Sequence, residues 1–413
     1  MFEELFQQPA CSRHRAAPHL EERLRYLNSL RNRGYSKKAL RKSDNKLLVV
    51  VRELGADLRP GVTPIQIHAA AERFKRGRRR YASRPHPKRP GHYFKPLATR
   101  WLRFLGWLKE PAPTVPPYEP LLDEFCAWMR EDRNLAAETI KTKRFHVGTL
   151  LRWHDSRGGK AQELGLADVD AFQAESEMKH WSRRTMASAA DSLRNFFRYG
   201  ASRGWWCPSV AEGIEGPMVY REETLPAGPS WDDVGRLLSS LKPNDPMDIR
   251  DRAMILLLSV YGFRVGEVQR LSLEDIQWEP KELLVCRSKS GARQRYPLVG
   301  FVAEALWKYL QVRPSCSLST LFVTLRAPFN PVSRFIIYNR VANRLAALGV
   351  RLNHRGPHSL RHACAARLVS QGLSLKEIGD HLGHRSAAST RIYAKVDLPN
   401  LREVAAFDLG GLA

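Results

Sequence analysis

Three short motifs between residues 358 and 393 decide how the last part of this chain is expected to fold. They read His358-Ser359-Leu360-Arg361-His362, Leu382-Gly383-His384-Arg385-Ser386 and Thr390-Arg391-Ile392-Tyr393. Apolar residues recur at helical spacing between them, which predicts helices over 361–371 and 375–382. The stretch therefore brings imidazoles, a permanent cation and a phenol together within one compact run.

Two upstream segments add further cations to this set. Arg264 stands in the sequence Gly-Phe-Arg-Val-Gly-Glu over 262–267, directly after an apolar run over 250–261 that predicts a buried helix. Lys289 stands in a Ser-Lys-Ser-Gly turn between two runs, 283–287 and 294–298, which predict the strands of a hairpin.

The residue types in this set suit attack on a phosphodiester. Planar guanidinium groups bind non-bridging phosphate oxygens bidentately and offset the charge that repels a nucleophile. A phenol has a reference pKa of about 10 and needs a base or a strong positive field. The leaving alkoxide needs a proton, which an ammonium or an imidazole supplies. The set therefore indicates a metal-free site that cuts and rejoins nucleic acid through a phosphotyrosine.

Other chemistries fit the same residues less well. A tyrosine taken alone is usually a packing residue, so Tyr393 is singled out by its neighbours. Zinc ligation by His358, His362 and His384 is an alternative, but a serine stands where His-Glu-x-x-His has its general base. We also expect no serine-nucleophile elbow, and no Gly-x-x-x-x-Gly-Lys phosphate loop is present. No metal or other cofactor is expected.

These motifs resemble those of the tyrosine recombinase (phage integrase) family. The family carries Gly-x-Arg-x-x-Glu, a hairpin lysine, His-x-x-Arg, Leu-Gly-His and a terminal tyrosine in that order. The matching catalytic positions here are Arg264, Lys289, His358, Arg361, His384 and Tyr393. The resemblance is most specific over 230–397 and extends over 118–210, which resembles the family's core-binding domain. Residues before 112 resemble the extra N-terminal domain of transposon-borne members.

The resemblance implies a role for each of these residues. Tyr393 is expected to attack the scissile phosphate and leave a 3′-phosphotyrosine and a free 5′-hydroxyl. Arg264 and Arg361 are expected to hold the phosphoryl oxygens, assisted by His384.

Proton transfer is assigned to two further positions by the same resemblance. Lys289 is expected to protonate the leaving oxygen, although Arg287, Arg293 and Arg295 lie near it and the hairpin register decides which cation faces the site. His358 is expected to exchange a proton with Tyr393. Glu267 is expected to orient Arg264 and not to take part in the chemistry.

The charge of the chain indicates a polyanionic partner. Its 413 residues contain 67 Lys and Arg against 42 Asp and Glu, a formal net charge of +25, while 43% of the residues are apolar. Such a composition places the charge on folded domains and not on a disordered tail. No apolar run reaches the roughly 18 residues of a membrane-spanning helix. Widely spaced cysteines and an N-terminus without an apolar signal core predict a cytoplasmic protein.

Apolar residues at helical spacing predict a mainly α protein, and proline-rich stretches predict that it is divided into several domains. We expect a helical basic domain over 1–112, a helical core-binding domain over 118–212, and a catalytic domain over 225–413 that is mixed α+β with a small β-sheet. The linkers are predicted at 111–120 and 208–229.

Basic positions on the first two domains are the candidates for contact with the DNA backbone. No acid occurs between Arg73 and Lys109, and aromatic residues are interleaved with the bases there. The candidates are Arg76, Arg78, Arg79, Arg80, Lys141, Lys143, Arg144, Arg183 and Arg184.

The first functional hypothesis is a site-specific recombinase or integrase that acts on double-stranded DNA, associates with the nucleoid and moves a mobile element. The apolar tail over 396–409 resembles family tails that dock on a neighbouring protomer, which implies self-association on DNA from dimer to tetramer. Accessory recombinases are further candidate partners. The alternatives are a type IB topoisomerase, which shares the tyrosine and the cations, and a non-catalytic DNA-binding accessory protein of the same fold.

Overall fold

The protein is mainly α-helical and contains one small sheet, as the sequence predicts. The computed structural model describes residues 1–55, 57–81, 92–111, 115–178, 181–220, 227–287, 291–384 and 386–396, with the backbone alone for 77–81, 176–178 and 395–396. Residues 1–111 and 225–413 form one compact unit, and residues 112–224 form a second. The finer division into three domains stays a prediction. No helix among the described residues has the length and apolar character to cross a membrane.

The residues that the structure describes up to 111 form six helices around one hydrophobic core. They are α1 Phe2–Leu5, α2 Ala10–Ala16, α3 Leu20–Asn32, α4 Lys37–Leu54, α5 Pro64–Tyr81 and α6 Phe94–Leu105. Ser36 caps α4, since its hydroxyl oxygen accepts a hydrogen bond from the backbone amide of Ala39 at 3.3 Å. Trp101 and Leu102 of α6 are fully buried in this core.

A buried ionic network joins α2, α3 and α4. Arg23 Nη1 donates to Asp44 at 3.0 Å, and His14 Nδ1 lies 2.5 Å from the same carboxylate. The second terminal nitrogen of Arg23 donates to the backbone carbonyl of His14 at 2.5 Å. All three side chains are fully shielded from solvent. Loss of Asp44 would therefore leave the buried Arg23 without its counter-charge.

The second unit is a bundle with its own aromatic core. Its helices are α7 Glu119–Glu131, α8 Ala137–Asp155, α9 Leu166–Met178, α10 Arg183–Ser202 and α11 Pro208–Gly213. The linker predicted from residue 208 is wrong over its first part, because α11 occupies 208–213 and Ala211 joins the core. Pro208 starts this helix, where a missing backbone N–H costs nothing.

A Gly-x-Ser-x-Gly sequence does occur at 200–204, contrary to the expectation that the chain has no such elbow. It lies at the end of α10, and the Ser202 hydroxyl donates to the carbonyl of Tyr199 at 2.7 Å. It is not the strand-to-helix turn that exposes a nucleophile in serine hydrolases.

The last part of the chain packs helices against a short antiparallel sheet. The helices are α12 Trp231–Ser239, α13 Pro246–Val260, α14 Val265–Arg270, α15 Gly300–Val312, α16 Arg334–Ala347, α17 Pro357–Ser370, α18 Leu375–Leu382 and α19 Ala388–Arg391. The strands, in the order β1-β2-β3, are β1 Ile276–Gln277, β2 Glu282–Cys286 and β3 Arg293–Pro297. Both hairpin strands begin one residue earlier than predicted. The apolar helix α13 is buried from Ala253 to Leu258.

Asp44→Ala is expected to lower the local free energy of unfolding of α3 and α4 by about 3–5 kcal/mol, because it leaves Arg23 buried without its counter-charge. Hydrogen exchange of the α3 and α4 amides, followed by mass spectrometry, measures the change. Glu3→Ala is the control, since it breaks an exposed ion pair with Arg15 and should leave exchange close to wild type. Unchanged exchange in Asp44→Ala would contradict a stabilising network.

Candidate active site

The C-terminal end of α18 is the point at which the site is assembled. The last carbonyls of a helix lack partners within the helix and carry the negative end of its dipole. Three of them accept hydrogen bonds from arginines of three separate elements. The pairs are Arg287 Nη2 to His381 at 2.9 Å, Arg361 Nη2 to Leu382 at 2.9 Å and Arg264 Nη2 to Gly383 at 3.4 Å.

Glu267 is the counter-charge of this arginine cluster. Its carboxylate accepts from Arg264 Nη1 at 3.0 Å, from Arg287 Nη1 at 3.0 Å and from the backbone amide of Arg264 at 2.8 Å. Burial alone would raise the pKa of Glu267, but the amide of Arg264 and the charges of Arg287 and Arg264 outweigh it, so that the pKa lies below its ordinary value. Glu267 thus stays ionised and fixes Arg264, which matches the orienting role expected for it.

Arg361 is held deep in the site by α17. Only 1% of its surface is exposed, and its second terminal nitrogen donates to the carbonyl of Gly262. Gly262 takes a φ of 61°, and a Cβ there would lie 2.4 Å from Leu382, so glycine is required at this close approach. Burial, followed by the neighbouring charge of Arg264, lowers the pKa of Arg361 to about 10. The guanidinium is still protonated at neutral pH.

Tyr393 lies in a short 3₁₀ turn, Ile392–Val396, and packs against its own α17 and α18. Its ring is 2% exposed and belongs to a small apolar cluster with Cys364, Ala365, Val369, Ile378 and Leu382. Burial raises the pKa of Tyr393 to about 12, although Arg361 and Arg264 oppose the change. The phenol is therefore neutral in this structure.

The imidazole next to the Tyr393 hydroxyl belongs to His362, at 2.9 Å from Nδ1. This differs from the expectation that His358 faces the tyrosine. His358 lies one turn earlier on α17, is exposed, and meets the His362 ring edge-on at 4.5 Å between centroids. Burial, His358 and Arg361 lower the pKa of His362 to about 4, so this ring is neutral at neutral pH. His362 follows His358 by four residues, so the two side chains lie on the same face of a helix. This spacing was the sequence signal that could have identified His362 as a site residue.

His384 follows the glycine that ends α18 and is oriented by α19. Its Nδ1 lies 2.7 Å from the hydroxyl of buried Thr390. Burial, followed by Arg361 and Arg264, lowers the pKa of His384 to about 4. This hydrogen bond ties the Leu-Gly-His motif to the segment that carries the tyrosine.

The hairpin delivers Arg287 to the site, whereas Lys289 lies outside the described residues. Arg287 is 4% exposed and donates to Gln294 of β3 at 2.8 Å. It also lies 5.1 Å from the centre of the Tyr296 ring. Leu283 and Val285 of β2 are buried, and Arg287, the residue directly after β2, continues this alternation, so strand periodicity was the signal that identifies this cation as a site residue.

The predicted DNA contacts differ in their surroundings. Arg76, Lys141 and Arg184 are exposed. Lys143 pairs with Asp191 at 2.7 Å, and Arg144 pairs with Asp123 at 2.6 Å and with Glu119. Arg183 is exposed and donates to the carbonyl of Met218 at 2.7 Å. The side chains of Arg78, Arg79 and Arg80 lie outside the described residues.

The arrangement as a whole is an anion site beside a phenol. Two of the three guanidinium groups pair with the one carboxylate of Glu267, and the side chain of Arg264 remains 24% exposed, so the cluster carries excess positive charge for an incoming phosphate. Among the side chains that the structure describes, no group of three or more His, Cys, Asp or Glu residues is arranged to hold a metal ion.

Comparisons with a protein family, with related sequences and with solved structures agree with this interpretation of the site. Residues 230–398 match the model of the phage integrase family. A predicted integrase/recombinase of Sinorhizobium fredii, y4rA, is 35% identical over 281 residues, which cover 67% of this chain and 68% of that protein. The tyrosine recombinase XerC of Vibrio vulnificus is 27% identical over 68% of this chain and 89% of its own. In fold, the chain is similar to the XerH recombinase in a post-cleavage complex with its difH substrate, with a TM-score of 0.56, 18% identity, and coverage of 86% of this chain and 98% of that chain.

Gly383→Ala is expected to destabilise the protein more than Gly372→Ala. Both glycines have a positive φ, 64° and 82°, so each alanine costs about 1–2 kcal/mol. A Cβ at 383 would also lie 2.4 Å from Nε of the immobilised Arg287, whereas nothing lies within 4 Å of one at 372. Thermal unfolding measures the difference. Equal midpoints for the two variants would contradict the close approach of Arg287 to the end of α18.

Proposed function

The chain belongs to the phage integrase family of tyrosine recombinases, and from this we propose that it is a site-specific DNA recombinase that cleaves and rejoins strands through a 3′-phosphotyrosine. The observation that carries the proposal is the convergence of Arg264, Arg361 and Tyr393, from three separate parts of the sequence, on the end of α18. A phenol beside an excess of buried guanidinium charge is suited to attack a bound phosphate.

In this proposal the scissile phosphate enters beside Arg264, the most exposed guanidinium of the cluster. Arg264 and Arg361 bind the non-bridging oxygens, and His384 donates a further hydrogen bond. These groups are already fixed by α18 and Glu267, so little reorganisation is needed as charge develops in the transition state. Tyr393 attacks phosphorus, and the 5′ oxygen leaves.

Lys289 is the proposed donor of a proton to the leaving 5′ oxygen. It follows Arg287 closely in the sequence, and Arg287 reaches the site from the end of β2. In the sequence Lys289 stands between the two hairpin strands, and a lysine ammonium is a group that can donate a proton to a leaving oxygen.

We further propose that recombination takes place in an assembly of protomers on double-stranded DNA and serves the movement of a mobile element. The names of the relatives as integrase/recombinase proteins, and solved neighbours such as a lambda integrase dimer on its core site, support this assignment. The action is proposed to take place in the cytoplasm on nucleoid DNA. A type IB topoisomerase and a non-catalytic accessory protein remain the alternatives that the following experiment separates.

The wild-type protein is expected to form a covalent adduct with nicked suicide duplexes that carry the ends of its own element. Tyr393→Phe should form none while it still binds the same DNA, because the attacking oxygen is removed. Denaturing electrophoresis of labelled DNA measures the adduct. Tyr338→Phe, at an exposed tyrosine of α16, should react like wild type.

Different failures of this assay point to different conclusions. An adduct in Tyr393→Phe would disprove the assignment of the nucleophile, and binding without any adduct in wild type would favour the accessory protein. Relaxation of plasmids without strand exchange would favour the topoisomerase. A strict requirement for a divalent cation would favour the zinc alternative.

Lys141→Ala and Arg184→Ala are each expected to weaken DNA binding and to reduce the slope of log affinity against log salt by about 1, since each exposed cation would neutralise one phosphate. Lys143→Ala is the matched control in α8 and should have a smaller effect, because its ammonium is 14% exposed and bonded to Asp191. Binding titrations over a series of salt concentrations measure the slopes. Unchanged slopes for Lys141→Ala and Arg184→Ala would exclude these contacts.

A further inference from the structure

We propose that His362 is a further catalytic residue, which takes the proton of the Tyr393 hydroxyl during cleavage and returns it during rejoining. This inference rests on the proposed function and names the group that activates the nucleophile. The resemblance of the motifs assigns that exchange to His358, whereas the geometry points to the imidazole one turn later on α17.

The contact between the two groups is direct. Nδ1 of His362 lies 2.9 Å from the Tyr393 hydroxyl oxygen, within the range in which a general base abstracts a proton. The ring centroids are 5.7 Å apart and the planes are tilted by 58°, so the imidazole meets the phenol through its ring nitrogen and not face to face. The half-buried His362 and the buried Tyr393 exclude most water from this contact.

Each proton that moves in this step has a donor and an acceptor within the proposed site and its substrate. The Tyr393 oxygen forms a bond to phosphorus, the bond from phosphorus to the 5′ oxygen breaks, and the phenol proton moves to Nδ1 of His362. The 5′ oxygen takes its proton from a separate donor, which the proposed function identifies as Lys289. During rejoining the 5′ oxygen forms a bond to phosphorus and returns its proton to the group that supplied it, proposed as Lys289. The bond from phosphorus to the Tyr393 oxygen breaks, and the imidazolium of His362 returns its proton to that oxygen.

The charges around the pair keep this step from occurring before DNA binds. The pKa values of about 12 for Tyr393 and about 4 for His362 make proton transfer unfavourable in the free protein. His358 and Arg361 of α17 oppose a positive charge on His362, and burial adds to their effect. A phosphate bound to Arg361 and Arg264 brings negative charge that offsets this repulsion, which favours the imidazolium. Substrate binding would thereby activate the nucleophile.

His358 is placed for a different task. Its ring is exposed and contacts His362 edge-on, and no hydrogen bond joins it to Tyr393 among the described residues. The tyrosine proton therefore has a shorter path to His362 than to His358.

The test compares variants of His362 on two substrates under single-turnover conditions. His362→Asn places an amide near the former position of Nδ1, where its oxygen can accept a hydrogen bond without taking a proton, and His362→Ala removes the ring. Both are expected to form the covalent adduct about 10²-fold or more slowly than wild type. His354→Asn, at an exposed histidine before α17, is the matched control and should react at the wild-type rate.

A nicked duplex with a bridging sulfur in place of the 5′ oxygen separates the base from the acid. A thiolate leaves without protonation because a thiol has a reference pKa of about 8.5. Lys289→Ala should recover on this substrate, whereas both His362 variants should remain as slow, relative to wild type, as on ordinary DNA. Added imidazole should restore His362→Ala by several-fold and leave His362→Asn unchanged. Thermal unfolding and DNA binding of His362→Asn close to wild type would show that the fold is intact.

The outcomes distinguish this inference from the proposed function. Adduct formation by His362→Asn within about 2-fold of wild type, or recovery of the His362 variants on the sulfur substrate, would overturn the role of His362 alone. A wild-type protein that forms no adduct with either substrate would overturn both. Slow His362→Asn cleavage at wild-type stability, together with rescue of His362→Ala by imidazole, supports the proposal.

Discussion

The carbonyl groups at the end of α18 are the constraint on which the site depends. A helix that ends inside a protein must satisfy these groups, and here the guanidinium donors of Arg264, Arg287 and Arg361 do so. Each arginine comes from a different segment, so one helix terminus fixes α14, the hairpin and α17 together. Glycines at 262 and 383 allow the close approaches that this arrangement needs.

The same arrangement explains how buried cations are tolerated. One carboxylate, Glu267, pairs with two of the three guanidinium groups, and backbone carbonyls together with the side-chain oxygen of Gln294 accept further hydrogen bonds from the cluster. The cluster is therefore well bonded yet short of negative charge. Removing a partner from such a network is costly, because it leaves a desolvated charge unpaired. In the proposed function a phosphate of the DNA backbone would supply the missing negative charge, which would link the stability of the pocket to substrate binding.

Sequence motifs predict the positions of Arg264, Arg361, His384 and Tyr393 in one region, and the structure places them around α17, α18 and the 3₁₀ turn. They do not predict Arg287, whose role depends on strand alternation in β2, or the contact of His362 with the tyrosine. The predicted bounds of both hairpin strands are off by one residue, because a glycine turn marks the middle of a hairpin more sharply than its ends. The linker predicted over 208–229 is wrong at α11, because Pro208 begins a helix there instead of preventing one.

The sequence by itself determined the fold class, the order of the helices, the family and the chemical character of the site. These follow from periodicity, residue types and short motifs, which are local properties of the chain. Only the tertiary structure decided which cations share Glu267 and which imidazole reaches Tyr393. His358 and His362 lie one turn apart on the same helix, so local sequence does not discriminate between them. The choice depends on where the 3₁₀ turn packs against α17, and that is set by the burial of Tyr393 beside Leu382 and Cys364.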